Sequence, residues 1–327
     1  MRTGKWAAAL TAAALATGVA ACGDDDDEGG GGGGASGGGD YSMTLIAGVK
    51  GDEFYITMNC GAQEKAKELG ATLDFQGPDQ FDAAQQTPIV DSVAAKSPDA
   101  ILVAPTDTKA LFAPITQAAQ NSEIVLVDTT LDQPDMAVSQ IASDNLEGGR
   151  EAARALLELT GEKGKYLVVG VKPGISTTDA RAKGFEEVIE GTEGVEYLGQ
   201  EFSNDEPAQA AQIVTSTLAK HPDLAGIFAV NLFSAEGSAA GLRQAGKSGK
   251  VKIIGFDAGP KQVEDLEEGL VQGLIAQKPA EIGALGVEQA VNALEGKPTE
   301  AEIGTGFEVI TKENLESKRD SLYKASC

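Results

Sequence analysis

Apolar residues fall in runs of strand length along most of the chain. The first five lie at 44–49 (TLIAGV), 71–75 (ATLDF), 100–104 (AILVA), 124–128 (IVLVD) and 138–142. Five more follow at 165–171 (KYLVVGV), 195–199, 226–230 (GIFAV), 251–256 (VKIIGF) and 271–276 (VQGLIA). Helical patterns rich in Ala, Glu, Gln and Lys occupy 55–69, 81–95, 109–120, 145–159, 177–190, 206–219, 234–245 and 279–295. Near-continuous apolar strands alternating with helices predict an α/β fold with parallel sheets covered on both faces. Ten strands are too many for one comfortable sheet, so two lobes are expected.

An internal echo supports two lobes of like topology. Ser97-Pro98-Asp99 leads into AILVAPTD, a helix and IVLVD; His221-Pro222-Asp223 leads into AGIFAVN, a helix and VKIIGFD. His221 thus reads as the end of a helix ahead of a strand. A GxxxxGK[ST] match at Gly241–Ser248 stands at a helix end before a strand. A phosphate loop needs the reverse order, so Gly246 reads as a helix stop and not as part of a nucleotide site.

The first forty residues carry a different pattern. Arg2 and Lys5 precede a short apolar stretch, Ala7 to Val19, and Val19-Ala20-Ala21-Cys22 places small residues before a cysteine. These are the parts of a signal peptide, and the apolar run is too short for a comfortable membrane span. The V-A-A-C ending resembles the lipobox of bacterial lipoproteins. That resemblance implies a signal peptide over 1–21 and a diacylated Cys22. Residues 23–40 hold ten Gly and six acids among eighteen positions, with no apolar residue larger than Ala. Such a segment reads as a solvated tether, and its consecutive acids lack the spacing of a calcium loop. With Cys22 assigned to the anchor, Cys60 and Cys327 remain as an even pair in an oxidising compartment. A disulfide between them is expected, tying the C-terminus to an early helix; two free thiols are the alternative, because sequence supplies no distance.

Charge and composition narrow the chemistry. Lys plus Arg number 26 against 50 Asp plus Glu, a formal net charge of −24. This excess of acid argues against nucleic acid and against charge-driven adhesion to an anionic membrane. The single His excludes a Ser-His-Asp or Cys-His nucleophile system unless His221 is itself the base. Three cysteines are too few for a Cys-rich zinc site, and no metal or cofactor is expected.

In open parallel sheets, ligands sit beyond the carboxyl ends of the strands. Here those ends finish in Asp107, Asp128, Asn231, Asp257 and Gln277, while the first strand leads to Asp52-Glu53-Phe54-Tyr55. Short carboxylates and amides beside an aromatic pair suit a neutral polyhydroxylated ligand: the polar groups bond hydroxyls and a ring face covers C–H surface. Each such Asp or Asn also reads, taken alone, as a helix cap or turn residue.

Several phrases in order carry a family resemblance: F54-Y55-x4-C60-G61-A62, A104-P105-T106-D107, I141-A142-S143-D144-N145, R181-x2-G184-F185, G255-F256-D257 and I275-A276-Q277. Together they resemble the type I periplasmic sugar-binding proteins of ABC importers, the ribose-binding group in particular. The resemblance implies two doubly wound, Rossmann-like lobes joined by a three-crossing hinge, with crossings near Ser143-Asp144, Gln277-Lys278 and Gly304. The lobes would then comprise 44–143 plus 278–303 and 144–277 plus 304–312. Residues 22–43 would form the anchor and tether, and 313–327 a tail returning to the first lobe.

Positions matching the family's sugar contacts are Asp52, Phe54, Tyr55 and Asp128 on one lobe and Arg181, Asn231 and Asp257 on the other, with Gln277 at the hinge and Asp179 as a further candidate. Arg181 also reads as an interlobe salt-bridge partner. Thr129 stands where ribose binders carry Arg, Asp179 matches the position of a second Arg, and no third aromatic is evident near Phe202-Ser203-Asn204-Asp205. Fewer positive donors disfavour an anionic ligand and put ribose in question.

The function implied is a lipid-anchored, monomeric, extracytoplasmic solute-binding protein that delivers a neutral sugar or polyol to ABC permease subunits without catalysis. Alternatives in view are a sensor passing a sugar or furanosyl signal to a membrane receptor, and an exported glycosidase using Asp52, Asp128 and Asp257. A regulator of the lac type would need an N-terminal basic helix-turn-helix, and the chain starts instead with the lipobox-like segment and an acidic tether.

Overall fold

The computed structural model describes residues 40–327. The expected signal peptide, the acylated Cys22 and the tether up to residue 39 lie outside the described residues.

The first half of the chain winds β1 (Ser42–Ile46), α1 (Glu53–Glu68), β2 (Thr72–Gln76), α2 (Ala83–Ala94), β3 (Ala100–Val103), α3 (Phe112–Ala118), β4 (Glu123–Val127) and β5 (Ala137–Ser143). The chain then builds α4 (Asn145–Thr160), β6 (Gly164–Gly170), α5 (Ser176–Glu190), β7 (Val195–Phe202), α6 (Pro207–Lys220), β8 (Leu224–Ala229), α7 (Leu232–Gln244), β9 (Lys252–Phe256), α8 (Pro260–Glu267) and β10 (Gly273–Ala276). It returns as α9 (Pro279–Leu294) and β11 (Glu302–Thr305), crosses again into β12 (Glu308–Ile310), and ends in a 3₁₀ segment, Leu315–Ser321, and a short tail.

Two six-stranded sheets result, ordered β11-β5-β4-β3-β1-β2 and β12-β10-β9-β8-β6-β7. The orders superimpose strand for strand, with β3 beside β4 in one and β8 beside β9 in the other, which is the structural form of the repeated Ser-Pro-Asp and His-Pro-Asp phrases. Central strands such as β3 and β8 are buried almost throughout, while the edge strands β2 and β11 alternate with exposed positions. That contrast is the expected signature of sheets covered by helices on both faces.

The structure departs from the expected pattern in small ways. β12 runs antiparallel to β10, whereas all-parallel sheets were anticipated. β11, β12 and α8 were not anticipated at all; they are only 4, 3 and 8 residues long, too short to show a period. The third crossing falls after Thr305, just beyond Gly304, because β11 stays paired with β5 through Thr305↔Ser143. His221 caps the end of α6. Cys60 on α1 is disulfide-bonded to Cys327. Among the described residues, no helix is long and apolar enough to cross a membrane.

Candidate functional site

The carboxyl ends of strands from both lobes converge on one cavity holding about 400 Å³ of atom-free space. In the first lobe Asp52 is the N-cap of α1, its Oδ1 accepting the Phe54 N–H at 2.8 Å. The cap and ligand-site readings of this residue therefore coincide, since one carboxylate oxygen closes the helix and the side chain still lines the cavity. Phe54 and Tyr55 meet edge to face with centroids 5.0 Å apart, and the Tyr55 hydroxyl donates to Asp128 Oδ2 at 2.7 Å. Gly48, just past β1, leaves the space that Tyr55 and Phe81 need: a Cβ there would sit 2.5 Å from both Tyr55 Oη and the Phe81 ring.

Asp128 follows β4 and Asp257 follows β9, and both adopt left-handed backbone, with φ of 64° and 79°. Each keeps one backbone bond to the neighbouring strand, Asp128 N–H to Ile141 C=O at 2.8 Å and Asp257 N–H to Ile275 C=O at 2.9 Å. Side-chain residues held in this region store strain of order 1–3 kcal/mol, and such strain clusters at ligand sites. Asp is among the residue types that tolerate it best.

Asp257 is surrounded by donors. Its Oδ2 accepts the Leu232 N–H at 3.0 Å, while Oδ1 accepts Gln277 Nε2 at 2.7 Å and the Tyr323 hydroxyl at 3.1 Å. Asn231 caps α7 through Oδ1 and donates from Nδ2 to Asp205 at 2.7 Å. At the hinge the Ser143 hydroxyl donates to Gln277 Oε1 at 2.8 Å and lies 3.4 Å from the Thr305 hydroxyl, so all three crossings are joined side by side.

Arg181 reaches the cavity from α5. Its Nε donates to Asn145 at 2.8 Å, its Nη1 to the Val230 carbonyl at 2.9 Å, and its guanidinium lies 3.8 Å from the centre of the Phe256 ring. None of these partners is charged, so Arg181 is not the interlobe salt bridge that its charge alone allowed. Its position depends on close helix packing: a Cβ on Gly149 of α4 would strike the Arg181 carbonyl, and one on Gly184 of α5 the Leu146 carbonyl, each at 2.0 Å. The glycine in R181-x2-G184-F185 thus serves the approach of α5 to α4.

Four carboxylates and one guanidinium line this space. Burial, with Asp257 and Asp205 nearby, pushes Asp52 well above the ordinary carboxylate range. Burial also raises Asp128 to about 6, against the opposing pull of Arg181 and the Tyr55 hydrogen bond. Asp205 is likewise raised by burial to about 6, with the Asn231 hydrogen bond opposing. Ligand hydroxyls that donate to these groups would replace lost hydration. Thr178 adds a buried hydroxyl with no partner among the described residues. The described residues contain no group of three or more His, Cys, Asp or Glu placed to hold a metal ion.

Hydrogen bonds close the lobes on one another. Lys172 Nζ donates to the Phe81 carbonyl at 2.7 Å, Thr108 N–H to Gly174 C=O at 3.2 Å, Thr130 N–H to the Ser176 hydroxyl at 3.0 Å, and Gln80 Nε2 to Glu206 at 3.3 Å.

Eight of the nine candidates, Asp52, Phe54, Tyr55, Asp128, Arg181, Asn231, Asp257 and Gln277, line the cavity. Asp179 does not. It is exposed on α5, where its carboxylate accepts the Gly174 N–H at 2.9 Å, so its proximity to Arg181 in sequence turns it to the opposite side. Asp107 closes its own turn by accepting from Lys109 and Ala110 N–H groups. Sequence reasoning missed Phe81, Asp205 and Thr178. The first two follow β2 and β7, so the strand-end rule extended to the edge strands would have found them. Thr178 carried no local signal.

The sequence model of the periplasmic binding protein domain matches residues 43–298. The chain belongs to the periplasmic binding protein family. It is 28% identical over 273 residues to the ribose import binding protein of Escherichia coli strain K12, covering 83% of this chain and 91% of that one. A solute-binding protein of an ABC transporter from Agrobacterium vitis, solved with α-D-tagatopyranose, is 42% identical with a TM-score of 0.85, covering 87% of this chain and all of the other. A second from the same organism, solved with D-fucose, is 29% identical with a TM-score of 0.83, covering 86% of this chain and all of the other. Membership in this family places the lobes, hinge and interlobe cavity in a setting of extracytoplasmic solute capture.

Proposed function

We propose that this protein is the extracytoplasmic solute-binding component of an ABC importer, anchored through Cys22, and that it captures a neutral sugar or polyol in the interlobe cavity without changing any covalent bond. One observation carries the reading. Carboxylates and amides from the strand ends of both lobes, with three aromatic side chains and a single guanidinium, line one interlobe cavity. The relatives named above, solved with sugars or named for ribose, support the ligand class.

Each lobe supplies part of the contacts, so a sugar binds the closed state better than an open one and shifts the hinge equilibrium toward closure. The excess of acceptors favours a ligand rich in hydroxyl donors and opposes sugar phosphates and sugar acids. Thr129 turns its hydroxyl to the Pro105 carbonyl at 2.8 Å and supplies no charge where ribose binders carry Arg, which supports a hydrogen-bond pattern different from that for ribose.

A thermal-shift screen of the purified protein against pentoses, hexoses, ketohexoses and alditols tests the proposal. The expected result is a midpoint rise with at least one neutral sugar, strongly reduced in Asp128→Asn, and no rise with sugar phosphates. No response to any sugar or polyol in the panel overturns it. For the anchor, intact mass should show a diacylglyceryl addition at Cys22 that disappears in Cys22→Ala.

A further inference from the structure

The last five residues cross between the lobes a fourth time. Tyr323 begins on the second lobe, its N–H donating to the Ala258 carbonyl at 3.0 Å. Its ring meets Phe54 of the first lobe edge to face, with centroids 5.9 Å apart. The next residue, Lys324, donates its N–H to the Thr57 hydroxyl on α1 at 2.7 Å, and Cys327 ends the chain in a disulfide to Cys60 one turn along the same helix. The chain thus leaves the second lobe and becomes covalently fixed to the first within five residues.

Tyr323 also reaches the centre of the hinge. Its hydroxyl donates to Asp257 Oδ1 at 3.1 Å and accepts the Gln277 N–H at 3.0 Å. The Gln277 N–H stands where β10 has ended and the second crossing begins, so strand pairing no longer supplies its acceptor. A buried backbone donor of this kind needs a partner. A hydroxyl can accept from the amide and donate to the carboxylate through one oxygen. Burial and the nearby Asp257 carboxylate hold the phenol well above its ordinary range, so it keeps its proton.

We propose that the tail is a fourth, disulfide-closed interlobe connection, and that Tyr323 is a positioning residue that sets Asp257 and Gln277 for ligand, its own placement depending on the Cys60–Cys327 bond. The covalent end keeps the tail docked on α1, and the docked tail keeps the phenol between two groups that line the cavity. The consequence for affinity rests on the carbohydrate reading above; the consequence for the hinge does not.

Amide hydrogen exchange on wild type, Tyr323→Phe, Cys327→Ser and the double variant separates the two. Tyr323→Phe keeps the ring against Phe54 and removes the hydroxyl, so the Gln277 amide should exchange about tenfold faster while β10 amides hold their rates. Cys327→Ser should act in the same direction at Gln277, and adding it to Tyr323→Phe should give no further increase, because both act through one contact. Unchanged exchange at Gln277 in either single variant, or effects that simply add, overturns the proposal.

D-tagatose serves as the affinity probe. Tyr323→Phe should weaken its binding about tenfold, while leaving the Gln277 amide without its acceptor should lower the thermal midpoint by only a few degrees. Equal affinity in wild type and Tyr323→Phe overturns the positioning role. Should wild type bind no sugar while Gln277 exchange responds as expected, the carbohydrate reading fails and the tail's part in the hinge stands.

Discussion

Asp128 and Asp257 occupy the same place in two lobes of the same topology, each just past its strand with left-handed backbone and one bond to the adjacent strand. Their surroundings differ. Asp257 accepts a helix N-terminal N–H, an amide and a phenol, whereas Asp128 has one hydroxyl partner, Tyr55, and is pushed up to about 6. The fold thus delivers a carboxylate to each side of the cavity by one rule, and contacts from distant parts of the chain give the two different work. Asp257 organises the second lobe and the hinge. Asp128 retains unfilled hydrogen-bonding capacity toward the cavity.

The largest test of that contrast is Asp257→Ala. It leaves three buried donors without their acceptor, and stability should fall by about 3–5 kcal/mol, measured from the urea midpoint. Asp128→Asn should do the reverse to stability. A carboxylate raised in the folded state favours folding when protonated, so stability from this group is fully present below about pH 4 and is lost as pH rises toward about 6. A rise from 3.8 to about 6 corresponds to roughly 2–3 kcal/mol. The Asn variant should therefore lack that decline and be more stable than wild type at pH 7, while binding sugar less well. Parallel stability-pH curves for the two proteins would refute this.

A smaller effect is expected in ligand binding. Hydroxyls that donate to Asp128 and Asp205 favour their ionised forms, so affinity should rise between about pH 5 and 7 and binding should release protons. Calorimetry in buffers of different ionisation enthalpy measures that release, and proton uptake would contradict it. The smallest effect belongs to Asp179→Ala. Affinity should stay within about twofold and stability within about 0.5 kcal/mol, as for an exposed turn contact.

Much of the site could be read in advance because strand ends are local features. Asp52, Asp128, Asn231, Asp257 and Gln277 each follow a visible apolar run, and the parallel architecture brings such ends together. Asp52 and Asn231 show that a capping role does not exclude a ligand role, because one oxygen satisfies the helix and the rest of the side chain remains free. Asp179 marks the limit of reading by adjacency. Two residues along a helix turn the side chain by about 200°, so a neighbour of Arg181 in sequence is not its neighbour in space. Phe81 and Asp205 follow edge strands, whose half-exposed patterns are weaker than those of the buried centre.

The sequence by itself determined the alternation of strand and helix, the doubling of the lobe and the residue types at the strand ends, since hydrophobic period and chain order govern those directly. Only the tertiary structure decided how each group is held. Arg181 rests on a ring, an amide and a carbonyl; Thr178 has no hydrogen-bond partner among the described residues; and Tyr323, separated by 66 residues from Asp257, shares a hydrogen bond with it. Hydrogen bonding and desolvation depend on which groups lie within about 3 Å of one another. Residues so far apart in the chain reach that distance only through packing.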